Sequence, residues 1–254
     1  MTPGKSPHSE RTGSSSGVTA LSEAAETATG LDGSDPLADP SERGVIAAAA
    51  LVFADQGLRA TLADVAKRAG VGVATVYRRF ANKDDLICVV YEPRLAAAYA
   101  LLRDALNEPD AWSAFEGYYR ASLRTVVEDK GFRELTLGAY SGTLGWSRTG
   151  SPQRLTESVS RTETRMRPLH VELVRKAQAS GALRPDMDPS DMLVLTMAAL
   201  STAEFAGGAC PGLADRVATV ILDGLRTERA ALTALPSSPL SDADIAAVRM
   251  GARR

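Results

Sequence analysis

A phenol, two guanidiniums and an ammonium crowd together at Tyr77, Arg78, Arg79 and Lys83. Guanidinium forks grip phosphate oxygens, and the same donors fit the O6 and N7 acceptors of guanine in a major groove. The residues just before them, Gly72, Val73, Ala74 and Thr75, are small or short, so a backbone carrying them can come close to base edges. The chemistry on offer is recognition of a polyanion. Two arginines alone are equally the solvated face of a helix. What separates the readings is whether the flanking sequence forces these groups onto one presented surface.

It does so through capping chemistry. Thr61 can offer its hydroxyl to a free backbone N–H, and Asp64, three residues on, can reach back to complete a capping box. Leu62, Val65, Ala66 and Ala69 then share a helical face, and Gly70 stands where a left-handed C-cap is wanted. A second short amphipathic segment follows over Val73–Phe80, with Val73, Val76, Tyr77 and Phe80 at helical spacing. Helices joined by so tight a turn as Gly70-Val71-Gly72 cross steeply, which is helix-turn-helix geometry. Lys83 follows at the start of the next helix, where the N-terminal dipole favours an anion.

The run TLADVAKRAGVGVATVYRRFANKDDL over residues 61–86 resembles the N-terminal domain of the TetR/AcrR family of bacterial transcriptional regulators. Its Thr, Asp-Val-Ala, Ala-Gly-Val, Thr-Val-Tyr and Asn-Lys-Asp-x-Leu positions are all filled, and the match extends over Glu42–Leu86. The resemblance implies that Thr61, Thr75, Tyr77, Arg79 and Lys83 contact phosphates and that Val73, Ala74 and Arg78 lie nearest the bases. Gly72 departs from the family's frequent Ser or Thr and loses a hydroxyl contact. Arg79 stands where His or Tyr is frequent and supplies charge instead. Arg43, at the start of the first helix, either touches phosphate in the family's docking pose or is a solvated side chain.

The chain as a whole is slightly acidic, with net charge −2 and pI near 5.8. Charge local to the docking face decides binding, and between Arg59 and Lys83 the cations Arg59, Lys67, Arg68, Arg78, Arg79 and Lys83 face Asp64 alone. Cys88 and Cys210 are far apart and lie in no Cys-x-x-Cys or Cys/His grouping, so no zinc site, other metal or disulfide framework is expected. No cofactor is implied. No apolar run of about 18 residues and no signal sequence is present, which predicts a cytoplasmic protein with no membrane partner.

The sequence predicts an all-α protein: a three-helix helix-turn-helix head followed by a helical-bundle ligand-binding and dimerisation domain. Residues 1–40, rich in Ser, Thr, Gly, Pro and Ala, read as a disordered extension. The head spans 41–86. Its first helix runs from about Ser41 to Gly57, with Ile46, Ala49, Ala50, Phe53 and Ala54 as the inward stripe. The body spans 87–235 and the polar tail 236–254. Asn82 caps the fourth helix, which Pro93 should kink or break near Tyr91–Pro93; in the resembled family this helix links head and body. Further helices are predicted over about Ala111–Asp129, stopped by Lys130-Gly131, then Phe132–Tyr140, a loop over Ser141–Pro152, and Pro152–Ser180, bent at Pro168. Ser190 should cap the next.

The last two helices, about 190–206 and 212–235, are apolar on more than one face, which suits either an ordinary intrachain core or, as the resemblance implies, a self-complementary homodimer by four-helix packing. On the first these residues are Met192, Leu193, Leu195, Thr196, Ala199, Leu200 and Ala203; on the second they are Val217, Val220, Ile221, Leu222 and Leu225. Between head and dimer pair, Trp112, Phe115, Tyr118, Tyr119, Tyr140, Trp146, Met166 and His170 are either ordinary core or, as the resemblance implies, the lining of a pocket for a small, largely apolar effector.

The leading expectation is a DNA-binding transcriptional regulator, a repressor that holds a double-stranded operator as a homodimer and is released by a small-molecule effector. The alternatives are a helical ligand-binding or interaction module without operator binding, and an all-α enzyme. The enzyme fares worst. The sequence holds no phosphate-cradling glycine loop after a strand, no His-Glu-x-x-His, no nucleophile elbow, and only two histidines, His8 and His170.

Overall fold

The computed structural model describes residues 40–137, 153–206, 212–228 and 233–235. The predicted N-terminal extension, the Ser141–Pro152 loop, Tyr140, Trp146, Cys210 and the tail beyond Leu235 lie outside them. Within them the all-α expectation holds. The helices are α1 (Pro40–Gln56), α2 (Leu62–Ala69), α3 (Val73–Arg79), α4 (Lys83–Asn107), α5 (Ala111–Glu128), α6 (Lys130–Leu137), α7 (Gln153–Ala179), α8 (Asp191–Ala206) and α9 (Leu213–Leu225).

Local chemistry sets the head. The Asp64 N–H donates to Thr61 Oγ1 at 3.2 Å while the Thr61 N–H donates to Asp64 Oδ2 at 2.8 Å, a complete capping box. These hydrogen bonds from Thr61 hold the Asp64 carboxyl below its usual range. Gly70 closes α2 at φ 68°, the left-handed conformation that costs a side-chain-bearing residue about 1 kcal/mol. Phe53, Val65, Val76 and Phe80 are buried together with Val45 and Ala49. The inward face of α1 is wider than the predicted stripe, for Val45 and Val52 are buried while Ile46 and Ala54 are half-buried. A second neighbour explains this: α1 packs on α6 as well as on α2.

Several expectations yield to tertiary contacts. The break at Pro93 does not occur, since α4 runs unbroken from Lys83 to Asn107. Pro93 and Val89 both lie on the exposed side, where water can satisfy the carbonyl that the proline leaves unbonded. Gly131 stops nothing; it sits in the first turn of α6, pressed against the Tyr91 hydroxyl and the Phe53 carbonyl. The start of α8 is organised by Asp188 in place of Ser190. Asp188 Oδ1 accepts the Ser190 N–H at 2.9 Å and its hydroxyl proton at 2.5 Å.

The final helix ends at Leu225, ten residues before the predicted boundary. There the chain turns extended and forms an antiparallel bridge between Arg226 and Leu183. The Arg184 N–H donates to the Leu225 carbonyl at 3.0 Å, and the Arg226 guanidinium lies 5.0 Å from the centre of the Trp112 ring. Around this end the bundle closes, with α4 lying along α7, α5 against both α7 and α8, and α8 along α9.

Candidate nucleic-acid interface and ligand cavity

One face of α3 is sealed and the other is presented. Val76 is 0% exposed and Phe80 5%, while Tyr77 is 56% and Val73 40% exposed. Sequence spacing placed all four on one apolar face; the structure splits them, leaving a valine and a tyrosine in solvent beside exposed Arg78, Ala74 and Gly72. Thr75 is half-buried. Gly72 is the N-cap of α3 at φ −70°, an ordinary conformation, and provides no side-chain cap. Thr61 and Arg43 are exposed on the same three-helix unit.

Arg79 and Lys83 differ from the rest. The Arg79 guanidinium pairs with Glu42 of α1 at 3.3 Å and ties the ends of two helices together. The Lys83 ammonium donates to the Leu58 carbonyl, and burial lowers its pKa. On the preceding peptide, Glu134 of α6 accepts the Leu58 N–H at 2.7 Å. Both cations thus brace the head, a role that spacing along the chain gave no means to foresee.

The body encloses a cavity of about 610 Å³ bounded by α4, α5, α6, α7 and the first turns of α8. Of the predicted lining, Tyr118, Tyr119, Met166 and His170 are in its wall. Trp112 and Phe115 are not: both are buried, 5.9 Å apart between ring centres, and the Trp112 Nε1–H donates to Glu116 at 2.7 Å. Met192, Leu193 and Thr196, expected in the dimer seam, face the cavity, as do Phe132 and Thr136 of α6. Arg94, Glu163 and Arg167 were also missed. Nothing in their spacing along the chain marks them, and the packing of α4 against α7 brings them to the cavity.

The polar groups of the wall are mostly matched. Arg94 forms an ion pair with buried Asp129, whose other carboxylate oxygen accepts the Tyr91 hydroxyl at 2.9 Å and the Phe132 N–H at 2.8 Å. The Tyr118 hydroxyl and His170 Nε2 are 2.7 Å apart. Burial takes the His170 pKa down to about 4, so the ring is neutral near pH 7, and takes Tyr118 up to about 12. A neutral imidazole has one donor and one acceptor nitrogen, so at Nε2 it either accepts the phenol's proton or gives its own, and Nδ1 takes the opposite role. Tyr119 Oη is sealed and makes no hydrogen bond of acceptable geometry among the described residues; burial raises its pKa to about 12, with the nearby Thr196 hydroxyl offsetting part of that rise. No cluster of metal-ligating side chains and no helix long and apolar enough to cross a membrane occurs among the described residues.

Comparison with known proteins agrees with both halves of this architecture. The family model for bacterial regulatory proteins of the tetR family matches residues 45–88, and that for the C-terminal domain of SbtR-like transcriptional regulators matches residues 110–227. No curated protein matches the sequence significantly. Among solved structures, the ketosteroid transcriptional regulator KstR2 of Mycobacterium tuberculosis is 19% identical, with 72% of this chain and 94% of that one covered at a TM-score of 0.53. The reduced form of E. coli NemR is 13% identical, covering 76% and 100% at 0.53. Bacillus subtilis FadR in complex with stearoyl-CoA is 16% identical, covering 72% and 98% at 0.50. These likenesses are of fold. With the head carrying one family match and the bundle the other, the chain belongs to the TetR family of bacterial transcriptional regulators.

Proposed function

We propose that this regulator is a ligand-responsive repressor that binds a near-palindromic operator as a homodimer and acts in the cytoplasm. The observation that carries the reading is the division of α3, which buries Val76 and Phe80 and leaves Tyr77, Val73 and Arg78 in solvent. A valine, a tyrosine and an arginine exposed side by side on one short helix make an apolar and cationic face suited to a polyanion with apolar base edges. In a major groove Val73, Ala74 and Arg78 face bases, and Thr61, Thr75 and Tyr77 face the sugar-phosphate walls, with Arg43, Gly72, Arg79 and Lys83 at the margins. Residues 41–86 act as the reading head and 87–235 as the sensing and pairing body.

Pairing is supported by α8 and α9, where Val194, Phe205 and Val220 are 63%, 55% and 56% exposed. Two copies related by a two-fold axis would bury these surfaces as a four-helix seam and set two heads on half-sites about 34 Å apart, one turn of duplex. The cavity supports a small, largely apolar effector, and FadR, of the same fold, is solved with stearoyl-CoA. Helix α6 offers a route from one to the other, because Phe132 and Thr136 face the cavity while Glu134 grips the Leu58 turn of the head. An effector that binds better to a dimer with altered head spacing releases the operator by differential affinity for two states.

A gel-shift assay on the region upstream of the chain's own gene tests the reading. Wild type should bind with steep salt dependence. Arg78→Ala should lose about 1–3 kcal/mol of specific affinity, and Lys83→Ala should weaken all sequences alike. Sedimentation should give a dimer. A monomer with no salt-sensitive affinity for any duplex refutes the proposal.

A further inference from the structure

We infer that the effector is an uncharged, mainly hydrocarbon molecule carrying one hydrogen-bonding group, which meets the Tyr118–His170 pair inside the cavity. The inference rests on the reading of that cavity as the effector site and narrows its ligand.

The first ground is the disposition of charge. Four charged side chains line the cavity: Arg94, Glu163, Arg167 and Asp188. Arg94 is neutralised by Asp129 within the wall, and Glu163 is engaged in an interaction of its own. Asp188 and Arg167 are exposed, so they sit at the mouth, and Asp188 is occupied by the Ser190 N–H and hydroxyl. The buried surface is contributed by Leu95, Val126, Phe132, Val159 and Met192, with the two phenols of α5. A carboxylate or ammonium pushed among these buried groups would lose its hydration and lie away from the exposed charges of the mouth, a cost of several kcal/mol. A hydrocarbon body pays no such cost.

The second ground is the polar pair itself. Whichever of the two donates across the 2.7 Å between Tyr118 Oη and His170 Nε2, one proton and one set of lone pairs remain on the pair: phenol lone pairs with an Nδ1 proton, or a phenol proton with an Nδ1 lone pair. The pair is therefore both an acceptor and a donor, fixed between α5 and α7, whereas the wall threonines Thr125, Thr136, Thr162 and Thr196 give their hydroxyl protons to carbonyls of their own helices. A ligand hydroxyl can use either function. One such contact discriminates an oxygenated ligand from its hydrocarbon parent without calling for charge.

Isothermal titration of full-length protein with biphenyl, para-hydroxybiphenyl and biphenyl-para-carboxylate at pH 7.5 tests this on one skeleton. The hydroxylated probe should bind about tenfold more tightly than biphenyl, and the carboxylate most weakly. Tyr118→Phe and His170→Phe, which keep ring volume, should each collapse the tenfold gap while leaving biphenyl affinity within about twofold. If the carboxylate binds best, or the gap survives both substitutions, the inference is overturned although the cavity remains a binding site. If none of the three binds, the reading of the cavity as an effector site falls, and the inference with it.

Discussion

Glu134 accepts the amide proton of Leu58 at 2.7 Å, so a carboxylate from α6 of the body closes the turn by which α1 of the head leads into α2. Burial lowers the pKa of Lys83, whose ammonium holds the Leu58 carbonyl, and the same carboxylate, with Asp84, offsets part of that fall. Both backbone polar groups of Leu58, in two successive peptide units, are thereby fixed, the N–H by α6 and the carbonyl by the first residue of α4. Gly57, at φ 75°, makes room for the carboxylate, because a Cβ there would fall 2.5 Å from Glu134 Oε1. Glu134→Ala should therefore cost about 1–2 kcal/mol by stranding a part-buried N–H, and Glu134→Gln, which keeps an acceptor, should recover most of it. Urea midpoints at unchanged slope measure the stability. If α6 carries the signal, Glu134→Ala should also weaken the effector's influence on operator affinity; a variant with unaltered coupling would remove α6 from the route.

Two glycines serve different ends and should respond differently to the same substitution. At Gly131 an added methyl would meet the Tyr91 hydroxyl and, at 2.9 Å, the Phe53 carbonyl, a backbone atom that cannot swing away. Gly131→Ala should destabilise by about 1–3 kcal/mol through overpacking at the joint of α1, α4 and α6. At Gly70 nothing lies within 4 Å of the new carbon, and only the left-handed φ of 68° resists it, so Gly70→Ala should cost about 1 kcal/mol. Thermal denaturation of the pair gives the order. A milder effect at Gly131 than at Gly70 would mean that α6 can slide on α1 more freely than its contacts suggest.

The adjacent arginines of α3 separate along the same line. Arg78 is exposed, whereas Arg79 is half-buried and paired with Glu42 at 3.3 Å. Arg78→Ala should leave the melting temperature within about a degree, since surface changes away from packed features are near neutral, and lower specific DNA affinity by about 1–3 kcal/mol. Arg79→Ala should lower stability by up to about 1 kcal/mol, the range of a partly exposed ion pair. Glu42→Ala should do the same, and the double variant should cost less than the sum. Additive losses would show that Arg79 acts by some contact other than Glu42.

The head was largely legible in the sequence because its instructions are local. Thr61 and Asp64 cap one another three residues apart, and Gly70 meets a backbone demand at its own position. Even there, spacing alone could not tell Val76 from Val73, because burial depends on which side α1 and α2 cover. The body was less legible for a related reason. Leu225 ends α9 because Arg226 is held by Leu183 and Trp112, residues more than forty and more than a hundred positions away. Helix α6 begins before Gly131 because a glycine there admits Tyr91 and Phe53. Tyr118, Tyr119, Met166 and His170 were found in the cavity wall by residue type, while Arg94 escaped because its partner Asp129 is known only from the fold.

Acid should reveal the buried imidazole. His170 has its pKa lowered by burial from 6.5 to about 4. Between those values the unfolded chain takes up a proton that the folded chain refuses, so stability is complete above about pH 6.5 and falls as the pH descends toward 4. A shift of this size corresponds to about 3 kcal/mol at full effect, less whatever partial solvent access to the half-buried ring returns. Asp64, Asp110, Asp186 and Asp188 carry pKa values below the usual 3.8, so their losses begin only as the pH drops to the usual carboxylate range and below. The window from 6.5 to 4.5 therefore belongs mainly to the histidine. Denaturant titrations at pH 7.0, 5.5 and 4.5 should show the decline in wild type, and His170→Phe should flatten it while Tyr118→Phe, which keeps the imidazole buried, should not. Equal slopes in wild type and His170→Phe would place the acid sensitivity elsewhere and would mean that water reaches the ring.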